Sequence, residues 1–274
     1  MSRLETGFRD VDAAGDAESY ADYLSYVNGL ESVAAGKRER ARLLGLRAGS
    51  RAIDVGCGLG EDARALSRLV GEHGEVVGVD SSAALLERAR TRCEPEDGPI
   101  QFIAADAHEL PFDAGAFDAA RIERTLQHLE DPARVVGELA RVTRPGGVVL
   151  ANEPDWGTLA STGRPRELVR AMLDVAEAQI RNPWIGRELA GLFVDVGLTD
   201  VTVQAEVLLV RDFHTDVIID PPLLAADLRA EGHDGVEDLL AAAEDDTRAG
   251  RTVAALTLFT VFARVGQPGQ SIQR

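Results

Sequence analysis

The feature that most constrains this chain is a regular alternation of short apolar runs with helical stretches across residues 51–151. Arg51-Ala52-Ile53-Asp54-Val55 leads into a glycine-rich turn and then a helical stretch over 61–70. Val76-Val77-Gly78-Val79 reads as a second strand and 82–92 as its helix; Ile100-Gln101-Phe102-Ile103 and 117–122 read as the third and fourth strands. Asp131-Pro132 opens another helix, with proline in the first turn where a missing N–H costs nothing. That helix is expected to end before Arg144-Pro145-Gly146-Gly147, with a fifth strand at 148–151. Strands and helices alternating at this spacing are βαβ units, and these build a parallel sheet.

The flanking segments extend the pattern. Residues 16–46 are helical, with a break near Asn28-Gly29; after Pro165 come helical stretches through Ile180 and over 185–196. Residues 201–210 alternate as a strand does, and 252–265 are apolar at nearly every position, as in a strand covered on both faces. Residues 221–250 between them are helical. The predicted fold is α/β: a Rossmann-like, seven-stranded, mainly parallel sheet with helices on both faces and a helical cap. The expected division is an N-terminal helical lid over 1–45, an α/β core over 46–210, a cap insertion over 211–250, and a last core strand and frayed tail over 251–274.

Composition narrows the classes of function. A formal net charge of −17 would repel a phosphate backbone, which disfavours nucleic acid or an anionic membrane as partner. Two cysteines, Cys57 and Cys93, make neither a disulfide framework nor a thiolate zinc site. No HExxH or clustered His/Cys spacing points to a metal, although scattered carboxylates leave a magnesium site open. No apolar stretch approaches the roughly 20 residues of a membrane helix, and the first twenty residues lack a signal peptide's apolar core. A cytoplasmic protein, monomeric or homodimeric, is expected.

The first strand ends in Asp54-Val55-Gly56-Cys57-Gly58-Leu59-Gly60, and the second in Asp80. Glycines at a strand-to-helix turn let backbone approach a ligand, and an acid about twenty residues on accepts hydrogen bonds from ribose hydroxyls. A dinucleotide fingerprint starting at Gly56 would need its third glycine at Glu61. With Glu61 and Asp62 opening the helix, a pyrophosphate would meet like charge, so NAD fits less well than a sulfonium carrying an amino acid.

Residues 52–60 resemble the first motif of class I S-adenosylmethionine-dependent methyltransferases. Gly78-Val79-Asp80-Ser81-Ser82 is similar to their second, and Ala105-Asp106-Ala107-His108-Glu109-Leu110-Pro111-Phe112 to their adenine loop. Phe117-Asp118, Leu126-Gln127-His128-Leu129 and 139–147 resemble their fourth strand, its loop and the turn before strand five. The likeness covers residues 50–155 and has the flavour of the small-molecule branch, which includes quinone and natural-product methyltransferases of secondary metabolism. It implies S-adenosylmethionine as cofactor. Gly56, Cys57, Gly58 and Gly60 would lie against its methionine part, Asp54 near its amino group, Asp80 and Ser81 at the ribose, and Asp106 and the Ala107 backbone at the adenine. Asp106 and Ser81 could equally serve turn or capping chemistry.

The acceptor side is less determined. Tyr20, Tyr23 and Tyr26 recur every third residue, which places them near one helix face. Tyr20 and Tyr23 could pack on an aromatic acceptor or meet the sulfonium, with Tyr20 a catalytic candidate, or the face could simply seat the lid. His128 could be a general base or a loop anchor. Trp156, following Asn152-Glu153-Pro154-Asp155 at the end of strand five, and Arg181 with Trp184 could line the acceptor pocket or hinge the cap. Arg121, Arg124, Lys37 or Arg38 could pair with the methionine carboxylate, Arg121 being the candidate carried forward, or form ordinary ion pairs. The absence of an Asp/Asn-Pro-Pro-aromatic motif after strand four argues against base N-methylation.

The function expected is direct methyl transfer to a small aromatic or heteroaromatic metabolite on carbon, nitrogen or oxygen. Two alternatives stand beside it: a protein of this fold that binds the cofactor but performs a cyclisation or serves as an interaction module, and a nicotinamide dehydrogenase.

Overall fold

The structure, a computed structural model, describes residues 11–14, 17–29, 31–211 and 221–267. The expected frayed end beyond 267, most of the first sixteen residues and the start of the cap, 212–220, lie outside the described residues. After a helical turn at Val11–Ala14 come helices α1 (Ala17–Gly29) and α2 (Glu31–Leu43). Strand β1 (Arg51–Val55), α3 (Glu61–Val70), β2 (Glu75–Asp80), α4 (Ala83–Thr91), β3 (Ile100–Ala104) and β4 (Phe117–Glu123) follow. A 3-10 turn at Leu126–His128 leads to α5 (Pro132–Val142), β5 (Thr143–Ser161), α6 (Arg166–Ala178), α7 (Ile185–Asp195) and β6 (Thr199–Val210). Helices α8 (Pro221–Ala230) and α9 (Val236–Arg248) precede β7 (Ala254–Arg264).

The seven strands form one sheet in the order β3-β2-β1-β4-β5-β7-β6. Pairings from β3 through β5 are parallel, while β7 runs antiparallel to both β5 and β6. The order reverses between β1 and β4. In such sheets the crevice at the carboxyl ends on either side of the switch is where ligands bind.

The helix starts follow from their first residues. Ser82 caps α4 by accepting from the Leu85 N–H (3.1 Å), and Asp131 caps α5 by accepting from Arg134 N–H (3.0 Å), with Pro132 at the first turn. On one sheet face, Ala63, Leu66 and Val70 of α3 pack on Ala52, Val76, Ala119 and Leu150. On the other, Val135 and Leu139 of α5 and Leu189 and Phe193 of α7 pack on Ile53, Val77, Ile122 and Val149. Helices α6, α8 and α9 form a third apolar cluster with the near ends of β6 and β7, reached by Val27 of α1, Val33 of α2 and Trp156.

Three elements differ from their sequence-based outlines. Strand β5 spans 143–161 rather than 148–151, because its pairing with β7 continues through Asn152–Thr260, Glu153–Phe259, Pro154–Leu258 and Asp155–Thr257 before a register shift. Residues 144–147, expected as a turn, are absorbed into the irregular start of that strand, where the pairing with β4 shifts between Phe117 and Ala119. Strand β7 is not covered equally on both faces. Leu256 and Leu258 lie under the cap, whereas Val261 and Ala263 enter the opposite core beneath α7. Edge strand β6 leaves Val203, Val207 and Leu209 exposed.

Candidate active site

The turn after β1 is shaped by three glycines with positive φ: Gly56 (70°), Gly58 (52°) and Gly60 (76°). A side chain at Gly56 would also strike Thr125, whose Oγ1 lies 2.2 Å from where a Cβ would sit. The N–H groups of Gly56 and Cys57 donate to the Val79 carbonyl (2.7 and 3.0 Å), which ties the turn to β2. Cys57 is buried, and burial pushes its thiol well up, so it is an inert packing group. Gly58 donates its N–H to Asp80 Oδ2 (2.8 Å), and Ser82 donates to Asp80 Oδ1 (2.9 Å). Burial raises the Asp80 carboxyl, opposed by the N–H groups of Ser82, Gly58 and Ser81. Ser81 itself is exposed beside it.

Asp106 follows β3 with its side chain 69% exposed. Its Oδ1 accepts from the His108 backbone N–H (2.8 Å) and meets His108 Nδ1 (2.6 Å), holding the carboxyl below the ordinary range. His108 Nε2 accepts from the Asp131 N–H (3.3 Å), so this histidine braces the loop against the start of α5. Ala107 is half-buried between them.

Beneath the glycine turn lies a cluster of buried charges, of which Asp54, Lys37 and Arg121 are sequence-based candidates and Arg40 and Glu206 are not. Arg121 pairs with Asp62 (3.0 Å), with Glu123 and, at 3.5 Å, with Asp54. Lys37 of α2 pairs with Asp62, and Arg40 of α2 pairs with Glu123 (2.8 Å) and with Glu206 of β6. Burial raises Asp54 to about 7 despite Arg121. For Asp62 and Glu123 the nearby cations outweigh burial and hold both carboxyls below their ordinary range. Glu61 pairs with Arg92 (2.9 Å), so the two acids opening α3 are both matched by cations. Arg38 points instead to exposed Glu31.

A second unforeseen group is Glu153. Wholly buried in β5, it accepts from the N–H groups of Thr125 and Leu126 (both 2.8 Å) and, more weakly, Gln127 (3.4 Å), thereby holding the loop after β4. Burial raises its carboxyl to about 8 against those bonds. No local pattern marked it, because its partners sit about thirty positions away, on another strand's loop. Asn182 holds the same loop from the other side, donating to the carbonyls of Leu126 (2.9 Å) and Leu129 (2.7 Å). His128 ends this doubly held loop and is half-buried.

The aromatic candidates separate. Tyr20 is wholly buried against Leu59 of the glycine turn and Leu85 of α4; Tyr23 packs on the cluster of α6, α8 and α9; Tyr26 is 38% exposed. Trp156, expected on a loop, is a buried residue of β5 whose Nε1 donates to Gln127 (2.8 Å). Trp184 is 49% exposed, donates to Glu177 (2.8 Å) and lies under the Arg187 guanidinium (5.3 Å). Arg181 pairs with Glu130 at the surface (3.1 Å). The structure thus gathers Asp54, Gly56, Cys57, Gly58, Gly60, Asp80, Arg121 and Tyr20 around one turn, whereas Arg181 and Trp184 stand apart. Among the described residues no cluster of His, Cys, Asp and Glu is arranged to hold a metal ion. None of the described helices is long and apolar enough to cross a membrane.

A family profile described as a methyltransferase domain matches residues 53–151, the stretch from the glycine turn to β5. An uncharacterized methyltransferase of Schizosaccharomyces pombe is 32% identical over 193 residues, 64% of this chain and 68% of that protein. The chain belongs to the class I S-adenosylmethionine-dependent methyltransferases. This methyltransferase is also 38% identical over 213 residues to an uncharacterized 37.1 kDa protein of a Streptomyces fradiae transposon, covering 77% of this chain and 60% of that one. To the demethylmenaquinone methyltransferase of Bacillus cereus it is 32% identical over 139 residues, 50% of this chain and 59% of that enzyme. It therefore spans about three-fifths of these last two relatives. In fold it is similar to Haemonchus contortus phosphoethanolamine N-methyltransferase 2, solved with phosphomonomethylethanolamine and S-adenosylhomocysteine (TM-score 0.61, 18% identity, 95% of this chain, 60% of that one). The same fold is shared by the cyclase SpnF (TM-score 0.51, 22% identity, 84% of this chain, 80% of that one).

The cofactor is S-adenosylmethionine, and the residues fit it. A carboxylate has about four acceptor positions, so Asp80 keeps capacity for hydroxyls beyond its backbone bonds. The described bonds of Asp106 all fall on Oδ1 and its side chain is exposed, so an exocyclic amine could donate to the second oxygen. Around Gly58, among the described residues, Leu24 of α1 alone approaches the place of an absent Cβ (3.2 Å), so α1 rests on the turn.

Proposed function

We propose that this methyltransferase transfers the methyl group of S-adenosylmethionine to a small, aromatic or heteroaromatic acceptor, at carbon, nitrogen or oxygen. The observation that carries this reading is that helix α1 joins the glycine turn to an apolar cluster: Tyr20 and Leu24 lie against the turn, while Tyr23 and Val27 pack with Trp156 and helices α6, α8 and α9. Methyl transfer is an in-line displacement at a cationic sulfonium, so the protein's task is to hold the nucleophile at near-attack distance, roughly 3–3.5 Å, and to exclude water. An apolar wall beside the turn would do both for a flat acceptor. The likeness to an enzyme named for a quinone substrate supports the aromatic class.

In this reading Asp80 and Ser81 hold the ribose, Asp106 and the Ala107 backbone the adenine, and Asp54 the amino group. Arg121 acts on the methionine end through Asp54, since its own guanidinium is committed to three carboxylates. Tyr20 seats the lid on Leu59 beside the sulfonium. Where the acceptor loses a proton, His128 takes it. General bases contribute roughly 100- to 10,000-fold, so His128→Gln is expected to lower kcat about 100-fold while S-adenosylhomocysteine binds as before. Arg181 and Trp184 would then belong to the rim. The protein is proposed to work in the cytoplasm as a monomer or homodimer, and its net charge of −17 supports a free small molecule over nucleic acid as acceptor.

Incubation with methyl-labelled cofactor and a panel of hydroxylated aromatics, quinols and N-heterocycles tests the reading. Label is expected in an extractable product. Label that stays on the cofactor with every acceptor, while S-adenosylhomocysteine still binds, would favour the cyclase-like alternative that the SpnF fold illustrates.

A further inference from the structure

The cations around the crevice are of two kinds. Lys37, Arg40 and Arg121 each sit against at least one carboxylate at ordinary ion-pair distance. Arg124 does not. Among the described residues its guanidinium meets the amide oxygen of Asn28 (Nη2–Oδ1 3.1 Å) and stays 4.0 Å from Glu123, whose carboxylate is already taken by Arg40 and Arg121. Its side chain is only 22% exposed. A guanidinium that has left most of its water for one neutral amide lacks a matched counter-charge. The carboxylates around it are engaged elsewhere: Asp54, Asp62, Glu123 and Glu206 are set against Lys37, Arg40 and Arg121, and among the described residues none comes closer to Arg124 than the 4.0 Å of Glu123.

The backbone of Arg124 is also unusual. Its φ of 52° is left-handed, a conformation that costs a non-glycine residue on the order of 1–3 kcal/mol and that clusters at ligand clamps. The strain is held in place by two bonds: the Arg124 N–H donates to the Asn152 carbonyl (2.8 Å), and the Arg124 carbonyl accepts from Gln127 Nε2 (3.2 Å). Location then indicates which part of the crevice it serves. Leu24 of α1 covers Gly58, and Asn28 lies one helical turn further along, about 6 Å. Its neighbour Val27 packs in the apolar cluster with Trp156. Arg124 therefore meets α1 where that helix passes from the glycine turn to the apolar cluster.

We propose that Arg124 is a specificity residue that binds an anionic group of the methyl acceptor, a carboxylate or phosphate-like oxyanion, exchanging Asn28 for it. The planar fork of a guanidinium matches such a group with two parallel hydrogen bonds, which a lysine could not do. The proposal rests on the methyl-transfer reading and narrows its acceptor to anionic aromatic molecules.

The test uses protein saturated with S-adenosylhomocysteine. Calorimetric titration compares 4-hydroxybenzoate and benzyl phosphate with their neutral counterparts, 4-hydroxybenzamide and benzyl alcohol. Wild type is expected to bind at least one anion about tenfold more tightly than its neutral partner. Arg124→Gln should equalise the pair. Asn28→Asp, which hands Arg124 a carboxylate of its own, should shrink the preference without removing the arginine. Both variants should bind S-adenosylhomocysteine within about twofold of wild type. Three results overturn the proposal: no anion preference in wild type; a preference that survives Arg124→Gln; or about tenfold weaker S-adenosylhomocysteine binding in Arg124→Gln with unchanged binding of 5′-methylthioadenosine, which would assign Arg124 to the cofactor's own carboxylate. Wild type that fails to bind S-adenosylhomocysteine at all would strike the methyl-transfer reading instead, so the two failures are distinguishable.

Discussion

At the scale of single residues, the crevice depends on groups whose neighbours leave no substitute. Asp80 is half-buried at the end of β2, and its backbone partners, Gly58 and Ser82, belong to the glycine turn and the α4 cap. Hydrogen bonds to a charged group contribute roughly 1.5–3 kcal/mol each. Asp80→Ala is therefore expected to weaken S-adenosylhomocysteine about 100-fold by calorimetry, since it removes the proposed ribose acceptor and unpins the turn at once. Unchanged affinity would show that the adenosine lies elsewhere. Gly56 fails in a different way: an added methyl group would meet both a positive φ and the Thr125 hydroxyl. Gly56→Ala should cost about 1–3 kcal/mol in urea unfolding. Gly29→Ala, where no atom of the described residues lies within 4 Å of the new one, should cost far less. Equal costs would mean that the contact between the turn and the β4 loop is loose.

At the scale of elements, helix α2 is fastened to the sheet by charge. Lys37 and Arg40 project from it onto Asp62, Glu123 and Glu206, and Gly36 leaves room for the pair formed by Arg40 and Glu206 (an added Cβ would fall 2.7 Å from Arg40 Nη1). Removing one partner of a buried pair strands the others, at about 3–5 kcal/mol. Arg40→Met is expected to lose an amount of that order in chemical denaturation, whereas Arg38→Ala, which breaks only the exposed pair with Glu31, should lose less than about 1 kcal/mol. The two sites also show what a sequence can disclose. Strand β1, the glycine turn, α3 and Asp80 were legible because their spacing is local and their residue types are dictated by backbone geometry. Helices α1 and α2 were legible from periodicity. The charge contacts of α2 were not: Arg40 meets Glu123 and Glu206 across 83 and 166 positions, and nothing in the neighbourhood of any of the three marks the others. The long β5 escaped for the same reason, its extension being set by a β7 partner about a hundred residues later, and it carried Trp156 from an expected loop into a strand.

At the scale of the whole molecule, two buried carboxyls set how stability varies with pH. Asp54 is raised to about 7 and Glu153 to about 8, both chiefly by burial. A raised carboxyl pKa means that the folded protein holds a proton the unfolded chain has released. The stabilisation is complete below the unfolded values, near 4, and is lost as pH climbs through 7 and 8, at about 1.4 kcal/mol per pH unit for each group while it titrates. Carboxyls held low by cations or N–H donors, among them Asp62, Glu123, Asp106 and Glu138, act oppositely, and their contribution fades only on the acid side. Between pH 5 and 8.5 the balance therefore falls toward instability, and self-repulsion at a net charge of −17 adds to the same slope. The charge term and the buried carboxyls separate in Glu153→Gln. The glutamine keeps an oxygen for the Thr125 and Leu126 N–H groups, and it cannot ionise. It should unfold near the wild-type temperature at pH 5 but at least about 5 °C higher at pH 8.5, since each kcal/mol moves the midpoint of a domain this size by roughly 2–4 °C. Thermal scans at the two pH values decide it: parallel shifts would mean that Glu153 is ionised throughout and anchors the β4 loop as a charge.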